Sequence, residues 1–509
     1  MSPDALAALT NKGQSSVQSI WKKLISFPAA LATLLVGGMF VPLQKLYVDP
    51  DVWWHIKVGD TILSTHHFPT KDIYSFTASG APWIAYEWLG ELLLSSIARM
   101  SGLRGLLALD YFLTALILLA LFALTSQRCG NSKAAFATCA GLLPLVYLSC
   151  SLRPQMLGYL FLILTLLILE RFRRGQTRLL WLLPPLFLVW VNTHGSFVIG
   201  VVVLGIYLAS GLKEFQWGGL VSKGWTPGER LRLEIAALLI LVALTITPYG
   251  TEICVYPFSM AFAQPINVTN IQEWQAMTFG DLYGKLFLAY LFGFLLAQVT
   301  MRPTWRVEEL ALYFLGVAAA CIHIRFVLVF VPFCAASLAV VIARWFPPYD
   351  PAKDKYALNA MLMTLVLAGT IAFFPSRAAV QKLMQQNWPV RAVAYLRQHP
   401  APQPMYNTYG YGGYLIWQMA GEYKVFIDGR GDIYERTGAL SDGLAIGRLA
   451  IAAPFLIKAY NLQSFLVDHD DTVVTLLAAS PEWQKVYGDE VSVLYVRKLQ
   501  PAQMSRTGN

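Results

Sequence analysis

Charge is what this sequence has least of. Only 14% of its 509 residues are Asp, Glu, Lys or Arg, against roughly 25% in an ordinary soluble domain. With 56% hydrophobic residues and a mean hydropathy of +0.50, so long a chain reads as a polytopic membrane protein. Cysteine is scarce as well. The six are Cys129, Cys139, Cys150, Cys254, Cys321 and Cys334, all in or beside apolar runs and none with CxxC spacing, which argues against a disulfide framework or a structural zinc site. There is no GxGxxG or Walker pattern, so nothing supports a nucleotide pocket. No repeats or low-complexity segments stand out. No cleavable signal peptide is evident either. The first apolar run starts near Leu24 and lacks small residues at a cleavage point, so it reads as a retained helix. The net charge of +9 is spread over short loops between apolar runs. That distribution does not suit a nucleic-acid partner.

Long apolar runs are abundant. With a ruler of about 20 residues per crossing, eleven candidates begin near Leu24, Leu106, Ala134, Gln155, Leu179, Phe197, Leu233, Leu286, Val307, Phe326 and Leu358. The fifth and sixth are separated by "NTHGS" and the ninth and tenth by "HIR", which read as tight polar tips. Basic loops such as "QSIWKK", "RCGNSK", "RFRRGQTR" and "MRPTWR" belong on the cytoplasmic side by the positive-inside rule. The expected organisation is a cytoplasmic segment 1–23, a transmembrane domain 24–374 with a large outer loop 47–104, and an extracytoplasmic region 375–509. In that last region "KVFIDGR", "SFLVDHD" and "VSVLYVRK" read as strands, and "PVRAVAYLRQ" and "AIGRLAIAAPFLIKAY" as amphipathic helices; the alternation predicts a small α/β domain.

This topology sorts Asp49, Asp51, His55, Asp60, Glu87, Glu91, Arg153, His194, Glu273, His323 and Arg325 to outer helix ends or outer loops. Ionisable groups at membrane depth are costly and mark functional sites. In "YVDPDVWWHIKVGD", Asp49 and Asp51 flank a proline that favours an extended segment. A carboxylate there, with His55 beside it, can act as a general base, and two carboxylates can hold a divalent cation. Alternatively Asp51 caps a helix that starts at Val52. Trp53 and Trp54 fit an aromatic belt. Glu87 and Glu91 lie one turn apart on an expected interfacial helix, Ile84 to Met100. They could bind a cation or a sugar hydroxyl, or form a solvated polar face. Arg153, His194 and Arg325, each at a tight turn, suit a lipid-linked phosphate; pairing with loop acids is the other reading. "YNTYGYGGYLIW" reads as a flexible, aromatic surface of the kind that contacts sugars. In "KVFIDGRGDIYE", Asp428, Arg430 and Asp432 fit a tight turn with an internal ion pair.

An acid directly after the first membrane helix, an interfacial helix behind it, many further helices and an outer C-terminal domain together resemble the GT-C glycosyltransferases, membrane enzymes that use polyprenyl-phosphate-linked sugars. Protein O-mannosyltransferases and lipid A aminoarabinose transferases are among them. "DPDVWWHIKVGD", "DIYSFT", "EWLGE", "WVNTHGSF", "TPYG" and "FIDGRGDIY" resemble those of a bacterial subgroup that brings no assigned substrate with it. The resemblance implies a GT-C-like fold of about eleven transmembrane helices in a bacterial inner membrane, with the N-terminus cytoplasmic. It implies sugar transfer at the outer face to a glycan, lipid or protein acceptor, surrounded by membrane lipids. It makes Asp51 or Asp49 the catalytic acid. The family's adjacent acid pair is here split by Pro50, which leaves the choice of base open, as is a metal requirement. Arg153, His194, Arg325, His323, Glu87, Glu91, Glu273 and Trp54 are the candidate substrate ligands. Two other classes also fit the composition: a transporter or flippase of a lipid-linked substrate, and a non-catalytic subunit of a membrane assembly.

Overall fold

The computed structural model of the chain describes residues 20–40 and 49–498. The expected cytoplasmic segment ahead of Ile20, and Tyr47 at the head of the first loop, lie outside the described residues.

Each of the eleven apolar runs is helical. Five of these helices are long and apolar enough to cross a membrane: Ile20–Gly38, Trp88–Cys129, Gln155–Arg173, Leu282–Met301 and Ile324–Trp345. Tyr356–Ala372 and Arg377–Asn387, bent by 60° at their junction, can make a sixth. Thr177–Val191 and Phe197–Ser210 are shorter, as are Pro227–Ala243 and Val307–Ile322. Local chemistry sets the starts. Asp281 accepts the amide N–H of Gly284 and opens Leu282–Met301. Thr226 and Glu229 form a capping box, with Pro227 as the first helical residue, to open Pro227–Ala243. The chain breaks between helices at both expected tips, around His194 and at His323.

The 42-residue element Trp88–Cys129 is two helices joined at Gly102, where φ is 60° and ψ −155°. Only glycine adopts that conformation without strain, so the chain turns there from the segment 88–101 into the span 103–129. The far ends of the bundle helices carry a separate ion-pair cluster. Arg173 pairs with Glu308, Arg128 with Glu309 and Arg306 with Glu170.

The sequence from Arg377 onward builds a four-stranded sheet whose strands are β1 (Met405–Asn407), β2 (Ser464–Asp468), β3 (Trp483–Gly488) and β4 (Ser492–Arg497), in the order β1-β2-β4-β3. β1 and β2 are parallel; β2 pairs with β4, and β4 with β3, antiparallel. "SFLVDHD" and "VSVLYVRK" supply β2 and β4, and "PVRAVAYLRQ" the helix Val390–Gln398.

Three expectations fail in this region. "KVFIDGR" is not a strand. Its backbone is taken up by the first loop and by a side chain: Phe76 N–H donates to the Val425 carbonyl, Val425 N–H to Tyr74, and Asn407 holds both Phe426 N–H and the Ile427 carbonyl. "AIGRLAIAAPFLIKAY" is two helices, Ala439–Gly447 and Ala453–Ala459, because Leu449 turns left-handed at φ 52°. "YGYGGYLIW" is no loose surface. Tyr411, Gly412, Gly413 and Tyr414 are buried, and Gly412–Met419 is a helix.

Candidate functional site

The helix Asp51–Thr65 begins where the first loop does. The expectation that Asp51 caps it is corrected. Pro50 is the N-cap residue and no side chain caps the helix; Asp49, one residue further out, accepts the Asp51 N–H at 2.9 Å through Oδ1, which leaves the Asp51 carboxylate free for other partners. About two turns on, Gly59 crosses the helix that starts at Trp88. A Cβ at Gly59 would sit 2.1 Å from the Glu91 carbonyl oxygen, so only glycine allows this approach. The close crossing brings His55 within reach of both Glu87 and Glu91.

Arg153 is the hub. Its Nε lies 2.7 Å from Asp49 Oδ2, and its Nη1 lies 2.9 Å from Asp51 Oδ2 and 3.1 Å from Glu273 Oε2. Glu273 also reaches Arg325, 3.4 Å from Oε1 to Nη1. One carboxylate thus bridges two guanidiniums. Arg325 stacks over Trp274 at 4.1 Å and donates to Gln155 at 3.4 Å. Its carbonyl accepts from Tyr159 at 3.2 Å. Both arginines are therefore fixed to the start of one helix, Gln155–Arg173. His323 stands apart from the acids. Its ring meets the Trp274 carbonyl and the Trp274 ring edge, so it supports the indole beneath Arg325.

A second string runs alongside. His194 Nε2 is 3.2 Å from Glu87 Oε1, His55 Nε2 is 3.5 Å from Glu87 Oε2, and His55 Nδ1 is 3.2 Å from Glu91 Oε1. Ser196 N–H donates to His194 Nδ1 at 3.0 Å, so the ring proton sits on Nε2 and points at Glu87. A neutral His55 can donate from one nitrogen only, and its other contact then requires a carboxyl proton. Glu87 is suited to carry it, since burial pushes its pKa up to about 8 against the pull of Arg325 and Arg153. Burial and Arg325 hold His194 down at about 3. Burial, then Arg153, keeps His55 well below its ordinary value. Asp51 is pushed up to about 7 by burial, opposed by Arg153 and aided by Asp49 and Glu273. Burial would raise Glu273 also, but Arg153 and Arg325 overcome it and hold its carboxylate ionised.

Several expectations about these residues are corrected. Glu87 and Glu91 are not a solvated face; Glu91 is 1% exposed, because the first loop and the C-terminal region cover that helix. Arg153, His194 and Arg325 are not an open cationic fork, since each already faces a carboxyl group. Trp53 and Trp54 are no aromatic belt, at 1% and 5% exposure. Trp53 packs on Trp388, Tyr414 and Trp417. Trp54 donates to Asp51 Oδ1 at 3.2 Å. Asp60 lies outside the site, paired with Arg99 and Lys57. Among the described residues no group of three or more His, Cys, Asp or Glu is arranged to hold a metal ion; Asp49, Asp51 and Glu273 converge on a guanidinium instead.

The C-terminal region closes over this floor. Arg430 forms a two-pronged pair with Asp428, at 2.8 and 2.7 Å, and reaches Asp72 of the first loop at 2.7 Å. The internal Asp–Arg pair was readable from spacing; its third partner was not. Asp72 stood within the quoted "DIYSFT" neighbourhood, but nothing there tied it to a residue 358 positions away.

No protein-family model and no curated protein sequence matches the chain. Solved structures do. The Archaeoglobus fulgidus oligosaccharyltransferase, crystallised with a tethered acceptor peptide containing the NVT sequon, has a TM-score of 0.51 at 13% identity, covering 86% of this chain and 68% of that one. ArnT from Cupriavidus metallidurans gives 0.48 at 14% in the apo state, over 95% of this chain and 100% of that one. Bound to undecaprenyl phosphate, ArnT gives 0.43 at 14%, over 93% and 98%. Identity this low speaks for fold, and the fold of this chain is that of the GT-C glycosyltransferases.

Proposed function

We propose that this protein transfers a sugar from a polyprenyl-phosphate donor to an acceptor hydroxyl at the outer face of a bacterial inner membrane. In this reading the chain crosses the membrane about eleven times and carries 375–509 outside. The observation that carries the proposal is the Glu273 bridge. Its carboxylate, held ionised between Arg153 and Arg325, marks where the site stabilises an anion. Glu273 is also the most accessible member of the cluster, its side chain 33% exposed. It can yield its place to a phosphate, which both arginines would then grip.

Asp51 serves as base in preference to Asp49, because Asp49 is committed to the helix start and to Arg153 Nε. With a pKa of about 7, the Asp51 carboxylate is poised to take a proton near neutral pH. The acceptor oxygen gives its proton to Asp51 and attacks the anomeric carbon. The bond from that carbon to the phosphate oxygen breaks, and the phosphate leaves with the electron pair, steadied by Arg325 and Arg153. Configuration inverts. Trp54 fixes Asp51 through Oδ1, and the Glu87–His55–Glu91 string supports the helix that carries it.

The test is binding of a polyprenyl phosphate to the purified protein. Wild type should bind saturably. Arg325→Ala should weaken binding about tenfold or more, and Glu273→Gln, which removes the competing carboxylate charge, should tighten it. Affinity unchanged in both variants would sink the donor site proposed here.

A further inference from the structure

A cavity lies beside this site, between Pro50 of the first loop and the C-terminal region. It measures about 180 Å³, opens to solvent, and is lined by Pro50, Trp388, Thr408, Gly410, Tyr411 and Asp468. A cavity of about 150 Å³ holds a benzene-sized ring, so this one accommodates a single six-membered ring. Its lining is mixed. Trp388 and Tyr411, each 4% exposed, contribute only a narrow aromatic strip. Asp468 accepts from Asp470 N–H at 3.0 Å through Oδ1, and its Oδ2 lies 3.2 Å from the Tyr411 hydroxyl, which makes a shorter bond, 2.7 Å, to the Val491 carbonyl. Two carboxylate oxygens have about four lone-pair sites between them, so Asp468 keeps capacity for incoming hydroxyls. A purely apolar ring would leave that capacity unmet. A pyranose, with an apolar C–H face and a hydroxyl rim, satisfies both surfaces.

The cavity adjoins the reacting centre at two points. Pro50 stands between Asp49 and Asp51. Gly410 follows Tyr409, a half-buried residue whose phenol is raised well above the ordinary range by burial first, and then by the charges of Asp51, Asp428 and Glu273. Among the described residues the Tyr409 hydroxyl has no hydrogen-bond partner, which leaves it available to a ligand.

We propose that this cavity, lined by Pro50, Trp388, Thr408, Gly410, Tyr411 and Asp468, is an acceptor subsite that holds one carbohydrate ring, with Tyr409 orienting the hydroxyl to be glycosylated toward Asp51. This rests on the transferase reading and narrows its acceptor to a carbohydrate, free or as part of a glycoconjugate.

Gly410→Leu is the decisive variant. Gly410 lines the cavity and a Cβ built on it meets nothing within 4 Å, so a larger side chain can start there without a clash at its Cβ and take up cavity space. Asp468→Asn is the second. The full-length protein in detergent would be titrated with methyl α-D-glucopyranoside, methyl α-D-mannopyranoside and methyl β-D-galactopyranoside by saturation-transfer NMR, with polyprenyl-phosphate binding measured in parallel. At least one glycoside should bind wild type saturably. Gly410→Leu should abolish that signal and Asp468→Asn weaken it about tenfold, with polyprenyl-phosphate affinity unchanged in both. If none of the three glycosides binds, or if Gly410→Leu binds them like wild type, the subsite is overturned while the donor site stands. Glycoside binding lost in Gly410→Leu, with no polyprenyl-phosphate binding even in wild type, would uphold the sugar cavity and overturn the transferase reading.

Discussion

Gly429 lies against Asp51 so closely that a Cβ built on it would sit 1.8 Å from the Asp51 Oδ1 oxygen and 2.9 Å from Trp54 Nε1. Gly413 approaches the same turn, with the Pro50 carbonyl 2.5 Å from where its Cβ would be. The C-terminal region therefore fixes the carboxylate proposed as base, and its glycines are there for approach rather than mobility. Gly429→Ala should push Asp51 off Arg153 and cost about 10²-fold in kcat, the scale of an ångström-sized misplacement. Polyprenyl-phosphate binding should remain. A variant with full kcat would show that Asp51 need not be held where it is.

Asp51→Asn should cut turnover by about 10²- to 10⁴-fold, the usual worth of a general base, and leave the fold intact. Asp49→Asn weakens a helix start and one ion pair and should cost less. Because Asp51 must be ionised to act and its pKa lies at about 7, kcat/KM should rise with pH through that value. A pH–rate profile flat from 6 to 8 would contradict the assignment.

Much of this site was legible before any coordinates. Assigning loops by their basic residues brought Asp49, Asp51, His55, Glu87, Glu91, Arg153, His194, Glu273 and Arg325 to one side, and the structure draws them into two adjoining strings. The partners were not legible. An ionisable residue advertises a cost that something must offset, but not which residue offsets it; Glu273 is 120 positions from Arg153. The tryptophans misled for a related reason. An indole beside a membrane helix has the same sequence signature whether it faces lipid or, as Trp53 does, a folded domain. Glycine is ambiguous too, since a missing side chain permits both mobility and the close approach seen at Gly413 and Gly429. A 20-residue ruler located the helices but not where they stop, because tips such as His194 and breaks such as Gly102 shorten or redirect them.

Glu87 should make the protein less stable as pH rises. Its carboxyl, raised from 4.5 to about 8 by burial, binds a proton in the folded state that the unfolded chain has released. Between those values the folded state holds more protons, so stability falls with increasing pH. Asp51 acts in the same sense up to about 7. Thermal unfolding in detergent should give a lower Tm at pH 8.5 than at pH 6, and Glu87→Gln should reduce the difference. A Tm that rises over this range would show that Glu87 is ionised at less cost than its surroundings imply.

The opposite end of the bundle should matter for stability and not for transfer. Arg173 lies 2.8 Å from the buried Glu308, donates to the Lys223 carbonyl at 2.9 Å and to Ser210 at 3.0 Å, and stacks on Trp225 at 4.0 Å. Arg153 precedes and Arg173 ends the same 19-residue helix, Gln155–Arg173, which at 1.5 Å per residue is about 28 Å long and holds the two arginines at opposite ends. Arg173→Ala strands a buried carboxylate and should cost about 3–5 kcal/mol, whereas replacing both partners together, as Arg173→Met with Glu308→Leu, should restore most of it. Turnover measured well below the unfolding transition should match wild type in both variants. If Arg173→Ala lost activity at full stability, the two ends of the bundle would have to communicate, and the site could not be treated as built from its own end alone.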